Sequence, residues 1–197
     1  MAEVLIVSIT PYFLERGNVW FQENLNKILE ARKTQTFFQD NILFLEKNQE
    51  YGLSQLLRKL DEMGYEKVLE AREPGEFSQR GGVVDVFPIN LNYALRFDFL
   101  GNKIENIEHL PIEVKDEKTA KEILKKRLKS QKLFSDLKGL KPGDYLVHLD
   151  HGIGKFSAIE NNYYILEYAQ NDKLYVPVGL ERKLSRYIGF SEPKISR

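Results

Sequence analysis

Between Arg72 and Ile107 the chain alternates turn chemistry with strand patterning, and this stretch restricts the fold more than any other. Pro74-Gly75 marks a turn. Gly81-Gly82 lets the backbone bend or approach closely before Val83, Val84, Val86 and Phe87 enter a strand that Pro88 stops. Leu95, Phe97 and Phe99 then alternate with Arg96 and Asp98, the period of a half-buried strand, and Gly101-Asn102 can turn the chain into an Ile104–Ile107 strand. An antiparallel hairpin follows. One Arg-Gly-Gly tripeptide is too little for an RNA-binding segment of repeated RGG.

The flanks supply helices. Val4–Ile9 (VLIVSI) reads as a buried strand, after which Phe21, Leu25, Ile28 and Leu29 recur at helical spacing. Leu53, Leu56, Leu57 and Leu60 repeat that spacing in a second helix that Gly64 can end. Residues 113–138 read as a connector helix: Asp116 and Glu117 near its start, Ala120, Ile123, Leu124 and Leu128 on one face, and five basic residues from Lys125 to Lys132. The reading of that basic run is a solvated face.

From residue 139 strands and turns succeed one another at short intervals: Tyr145–His148, Lys155–Glu160, Asn161-Asn162, Tyr163–Tyr168, Gln170-Asn171-Asp172 and Lys173–Val178. That spacing indicates a small barrel, and Leu180–Ile188 offers one helical closing segment. The expected organisation is α+β, with a mixed module over 1–112, the connector over 113–138 and the barrel over 139–197.

Chemistry is scarce in this sequence. The chain has no cysteine, so thiolate metal sites and disulfides are excluded. His148 and His151 would point to opposite faces if one strand continued through both, and His109 lies in another block. No metal site and no catalytic residue is therefore expected, and no cofactor. Gly152-Ile153-Gly154-Lys155 fails as a phosphate loop, because Leu149 stands where the first glycine is needed and Phe156 where the hydroxyl is needed. Twenty-nine basic residues balance twenty-nine acidic ones, but residues 1–112 hold 12 basic and 17 acidic side chains, a net of −5. Such a block is a poor general surface for nucleic acid. No twenty-residue apolar run occurs and no basic segment precedes VLIVSI, so the expectation is a cytoplasmic protein without a membrane partner.

Two stretches carry a family resemblance. The run GYEKVLEAREPGEFSQRGGVVDVFP, followed by LRFDFLGNKIENI, resembles the UvrA-interaction module shared by UvrB proteins and transcription-repair coupling factors (Mfd). The resemblance implies a UvrA-contacting surface at Arg80, with Phe77 and Arg72 as further candidates. Ser78 stands where UvrB-like members often carry a second arginine. The segments LKPGDYLVHLDHGIGKFSAI, YYILEYAQNDKLYVPVG and SRYIGF resemble the RNA polymerase-interaction domain of the coupling factors, which is similar to CarD-type regulators and has a Tudor-like (SH3-like) barrel.

That second resemblance implies pairing of an edge strand with the RNA polymerase β subunit. The candidate residues are Tyr164, Ile165, Leu166, Glu167 and Tyr168. Full-length family members add an ATP-driven DNA translocase, so DNA contact is expected only indirectly. The expectation for this chain is a fragment or compact relative with a non-catalytic binding role, or alternatively a CarD-like regulator acting on polymerase alone.

Overall fold

Apolar residues of period two, punctuated by glycine and asparagine turns, build most of the structure, with amphipathic helices covering the sheets. The computed structural model describes residues 1–114, 116–130 and 137–196. They fall into two units, one drawn from Met1–Leu25 and Asn41–Leu133, the other from Asn26–Asp40 and Phe134–Arg197. The class is α+β, with several sheets.

In the first unit the elements run β1 (Glu3–Val7), α1 (Pro11–Leu14), the start of α2 (Asn18–Thr34), and, after α3 (Thr36–Asn41), β2 (Ile42–Glu46) and α4 (Leu53–Glu62). There follow β3 (Glu66–Lys67), β4 (Glu76–Arg80), β5 (Val83–Phe87), β6 (Tyr93–Leu100), β7 (Lys103–Glu113) and α5 (Glu117–Ser130). Strands β1 and β2 pair antiparallel, and the other five form a sheet of order β3-β4-β5-β6-β7 in which only β3 and β4 run parallel. The expected hairpin is thus β6–β7, at one end of a larger sheet.

Its inward face supplies Phe77, Val84, Val86, Leu95, Phe97 and Ile107, which join Leu56 and Leu60 of α4 and Ile6 and Leu45 of the small sheet in one buried cluster. The glycine turn is geometrically required. A Cβ on Gly82 would lie 2.9 Å from the Phe99 carbonyl oxygen, and Gly81 has φ +59°. Tyr65, 3% exposed, satisfies its hydroxyl inside this core by donating to the Val7 carbonyl and accepting from the Ile89 amide. In α5, Leu124 is buried and Lys125 and Lys126 are exposed, while the side chains of Arg127, Leu128, Lys129 and Lys132 lie outside the described residues.

In the second unit β8 (Tyr145–His148), β9 (Gly152–Glu160), β10 (Tyr163–Glu167), β11 (Lys173–Pro177) and β12 (Leu184–Arg186) form one antiparallel sheet of order β11-β10-β9-β8-β12. Its core is Leu137, Leu146, Phe156, Leu166, Val176 and Leu184. No ladder joins β11 to β12 among the described residues. Asn161 and Asn162, with φ of 49° and 63°, make the two-residue β9–β10 turn, which needs positive φ at both positions. Phe38 stacks on Phe190 with ring centroids 5.6 Å apart, which fixes residues 26–40 to this unit.

The helical reading of Leu180–Ile188 is corrected here. Only Glu181–Lys183 makes a single 3-10 turn, and the chain then becomes β12. Leu184 and Arg186 are buried while Ser185 is exposed, a period of two, and pairing with Leu146–His148 of β8 satisfies backbone groups that a lone helical turn would leave to water. Among the described residues no helix is long and apolar enough to cross a membrane.

Candidate interaction surfaces

Arg80 closes β4 and faces Val83 across the glycine turn. Its side chain is 66% exposed, and Nη2 stands 3.5 Å from Oδ2 of Asp85. Asp85 is nearly buried and receives two hydrogen bonds from Arg96, Nε to Oδ1 at 2.7 Å and Nη2 to Oδ2 at 2.8 Å. A bidentate pair of this kind fixes the carboxylate in place. Two guanidinium groups thus share one carboxylate, Asp98 and Glu108 also act on Arg96, and Arg80 is the exposed cation of this mixed-charge group. The sequence reading missed Asp85 and Arg96, because their partnership comes from the β5–β6 register, Asp85 opposite Arg96.

The other two candidates do not join this group. Phe77 is 2% exposed and packs in the core, since a position three residues from Arg80 falls on the opposite face of the strand. It supports the sheet and cannot touch a partner. Arg72 is exposed in the loop before β4, where it pairs with Glu70 at 2.7 Å. Ser78 lies buried beside Asp85 in the ladder, so this position shows no donor to a partner.

The polymerase-facing candidates need a larger correction. Tyr164–Glu167 belong to β10, which has β9 on one side and β11 on the other. Both of its backbone edges are occupied, so it cannot accept a further strand. Leu166 is fully buried and Ile165 nearly so. Tyr164 directs its hydroxyl to Glu181 at 3.4 Å, Tyr168 directs its own to the Gly152 carbonyl at 3.4 Å, and Glu167 pairs with Lys173 at 3.6 Å.

Open backbone lies elsewhere in the same sheet. β11 and β12 are its end strands, and β8 stops pairing with β9 at Tyr145 opposite Lys155, leaving Ser157–Glu160 with β10 alone as strand neighbour. Ile159 of that stretch is 54% exposed on the face of Tyr164, while Tyr163 (40%) and Tyr175 (55%) lie on the other face in edge-to-face contact at 6.4 Å.

The two histidines of H-L-D-H come together because the strand ends at His148. The following turn brings the rings to 4.8 Å, and the Asp150 amide donates to His148 Nδ1 at 3.1 Å. Lys183 pairs with Asp150 at 2.9 Å. Among the described residues no group of three or more His, Asp or Glu side chains is arranged to hold a metal. Burial, then the neighbouring His151, pushes the His148 imidazole below its ordinary value of 6.5. The unfolded chain therefore binds the proton more readily. This contribution to stability is complete above about pH 6.5 and is lost as pH falls through the folded value. An NMR titration should show His148 with a midpoint under 6.5; a midpoint at or above 6.5 contradicts the burial argument.

Comparison with known proteins accounts for both halves of this arrangement. Residues 43–134 match the UvrB interaction domain, and residues 140–188 match the CarD-like/TRCF RID domain. The UvrABC system protein B of Campylobacter hominis is 34% identical over 83 residues, which cover 42% of this chain and 12% of that protein. The transcription-repair-coupling factor of Bacillus subtilis is 35% identical over 97 residues, 42% of this chain and 8% of that protein. That of Haemophilus influenzae is 38% identical over 76 residues, 34% of this chain and 7% of that protein. The matched stretches thus span about a tenth of these relatives' own lengths. The chain thus carries a UvrB interaction domain followed by a CarD-like/TRCF RID domain, and over these modules it is similar to transcription-repair-coupling factors.

Proposed function

We propose that the chain is a non-catalytic binding platform that links RNA polymerase, through its β subunit, to UvrA-dependent excision repair. The observation that carries this reading is the succession of two interaction modules in one chain. Each has a chemically distinct exposed surface: the Arg80 guanidinium in one, and an open strand edge beside Ile159 in the other. The functional modules are 1–112 for UvrA and 139–197 for polymerase, joined by 113–138. DNA is reached only through these partners, and the platform works in the cytoplasm. On this reading the polymerase β subunit lays a strand along Ser157–Glu160, with Ile159 giving apolar contact.

Pull-downs of the chain with purified RNA polymerase and purified UvrA as separate baits test the proposal. The wild type is expected to bind both. Ile159→Arg removes apolar contact worth about 1.5–3 kcal/mol and should weaken polymerase binding alone. Arg80→Glu opposes acidic groups on UvrA, a loss of about 2–5 kcal/mol for a desolvated pair, and should weaken UvrA binding alone. Polymerase binding with no UvrA binding would leave a CarD-like polymerase regulator, and ATP hydrolysis by the purified chain would contradict the non-catalytic reading.

A further inference from the structure

The end of α1, the β5–β6 loop and the first turns of α5 enclose a pocket within the first unit, to which Phe13, Ile89, Leu91 and Leu124 give an apolar lining. Phe13 and Leu124 are buried, and Ile89 and Leu91 are half-buried. Two amide side chains, Asn18 and Asn92, and two cations, Arg16 and Lys121, supply the polar groups, and none of the described lining residues is acidic. An apolar wall with a few polar groups is the composition of a ligand site. Its positive charge runs against that of the module around it, where residues 1–112 hold 12 basic and 17 acidic side chains.

Arg16 is the telling residue. Its side chain is only 26% exposed, and the one carboxylate within 4.0 Å of it among the described residues is that of Glu15, itself 79% exposed and at the limit of that distance from Nη1. Nη1 donates to the Tyr12 carbonyl at 3.0 Å. The Tyr12 ring lies 3.8 Å from Cζ and the Trp20 ring 4.9 Å, contacts that hold the guanidinium in place without neutralising it. Nε is buried with no hydrogen-bond partner, and Nη2 makes no hydrogen bond to a described residue. Nε and Nη2 together are the two parallel donors with which an arginine takes a carboxylate side-on.

Elsewhere in the chain such a pair of donors is filled. Arg96, with a side chain 32% exposed, gives Nε and Nη2 to the two oxygens of Asp85 at 2.7 and 2.8 Å. Arg186, 4% exposed, bonds to Asp144. A guanidinium withdrawn from water with a buried N–H left unpaired carries a desolvation cost that a bonded carboxylate offsets. The chain supplies that carboxylate to Arg96 and to Arg186, and it supplies none to the Nε of Arg16.

We propose that this pocket is a binding site for an apolar carboxylate, an acid group joined by a few bonds to an aromatic or branched aliphatic body. The body lies against Phe13, Ile89, Leu91 and Leu124, the carboxylate takes Nε and Nη2 of Arg16, and Lys121 adds a second positive charge to the lining. Two sources share this chemistry: a free organic acid, and the C-terminal residue of another polypeptide, whose last peptide group the Asn18 and Asn92 amides can bond. The site has no residue in common with the Arg80 turn or with Ser157–Glu160, and its test is independent of both.

An NMR amide titration of the full chain makes that test, with phenylbutyrate as the probe and phenylbutanol as its uncharged counterpart. Saturable shifts are expected at Ile89, Leu91, Leu124 and the Trp20 indole N–H, with affinity for the acid at least about tenfold above that for the alcohol. Arg16→Gln should bring the acid down to the level of the alcohol. Lys121→Gln, at an exposed position, should weaken the acid by a smaller factor and leave the alcohol unchanged. Ala120→Leu places a larger side chain in the lining and should abolish binding of both. The dispersion of each amide spectrum shows whether the variant is folded. N-acetyl-Gly-Gly-Phe and its C-terminal amide assign the source: binding of the free acid and not of the amide assigns a chain end, whereas exclusion of both peptides while phenylbutyrate binds assigns a free organic acid. Equal affinity for acid and alcohol, or full affinity for the acid in a folded Arg16→Gln, overturns the role of Arg16. No saturable shift with either probe overturns the site.

Discussion

Leu166→Arg should unfold the sheet of the second unit, and any loss of polymerase binding should follow from that unfolding. Leu166 is fully buried, faces Phe156 on one neighbouring strand and Leu174 on the other, and belongs to a core of six buried residues. Removing the leucine side chain alone costs about 2–5 kcal/mol through lost transfer energy and the cavity left behind. Placing a guanidinium there adds the desolvation of an unpaired charge. A unit of roughly 80 residues has about 4–12 kcal/mol of stability in all. Amide hydrogen exchange across β9, β10 and β11 should therefore lose its protection in Leu166→Arg, while amides of the first unit keep theirs. Retained protection in the variant would show that the position tolerates a charge and lies at the surface. Ile159→Arg supplies the contrast: at 54% exposure it should alter binding with protection intact.

That contrast shows what the sequence could and could not carry. The hairpins were legible because their signals are local: Pro74-Gly75, Gly81-Gly82 and Asn161-Asn162 each fix a turn, and alternation on either side fixes which face is buried. Strand order is a different kind of information. Whether Tyr164–Glu167 is an edge depends on where β11 and β12 pair, and β12 reaches β8 across more than thirty intervening residues. The run YYILE, four apolar or aromatic residues and a glutamate, fits a strand, and the strands that flank it are set by distant pairings.

The same reasoning applies to the candidate sites. Arg80 became a candidate through the family resemblance at the glycine pair, whereas Asp85 and Arg96 become partners only through ladder register. His148 and His151 were separable only on the assumption that the strand continued. A turn beginning at Leu149 removed that assumption, and the rings meet. Phe77 illustrates the remaining difficulty: within a short motif one residue can serve the core and its third neighbour the surface, and a resemblance gives both the same weight.

Arg186→Met should be about as damaging as Leu166→Arg, although it exchanges a charged residue for an apolar one of similar length. The Arg186 side chain is 4% exposed and Asp144 14%. Its guanidinium bonds to the Asp144 carboxylate and donates to the Lys138 and Gly139 carbonyls at 3.2 Å each. One side chain of β12 thus holds the approach to β8 at three acceptors. Methionine can fill the space, but it leaves Asp144 as a largely buried carboxylate without its cation, and removing one partner of such a pair costs about 3–5 kcal/mol. Asp144 also accepts from the Lys141 amide, which makes it useful to the turn and unable to move freely to water. Chemical denaturation of the full chain, followed by amide exchange in β8 and β12, should show the unfolding free energy for these strands falling by that amount. The paired variant Arg186→Met with Asp144→Leu separates the two costs: replacing both partners removes the stranded charge and should recover a substantial part of the loss. If the single variant is as stable as wild type, the ion pair contributes nothing and packing alone seats β12. If the double variant is no better than the single, the loss lies in the two carbonyls, and the pair with Asp144 is incidental to it.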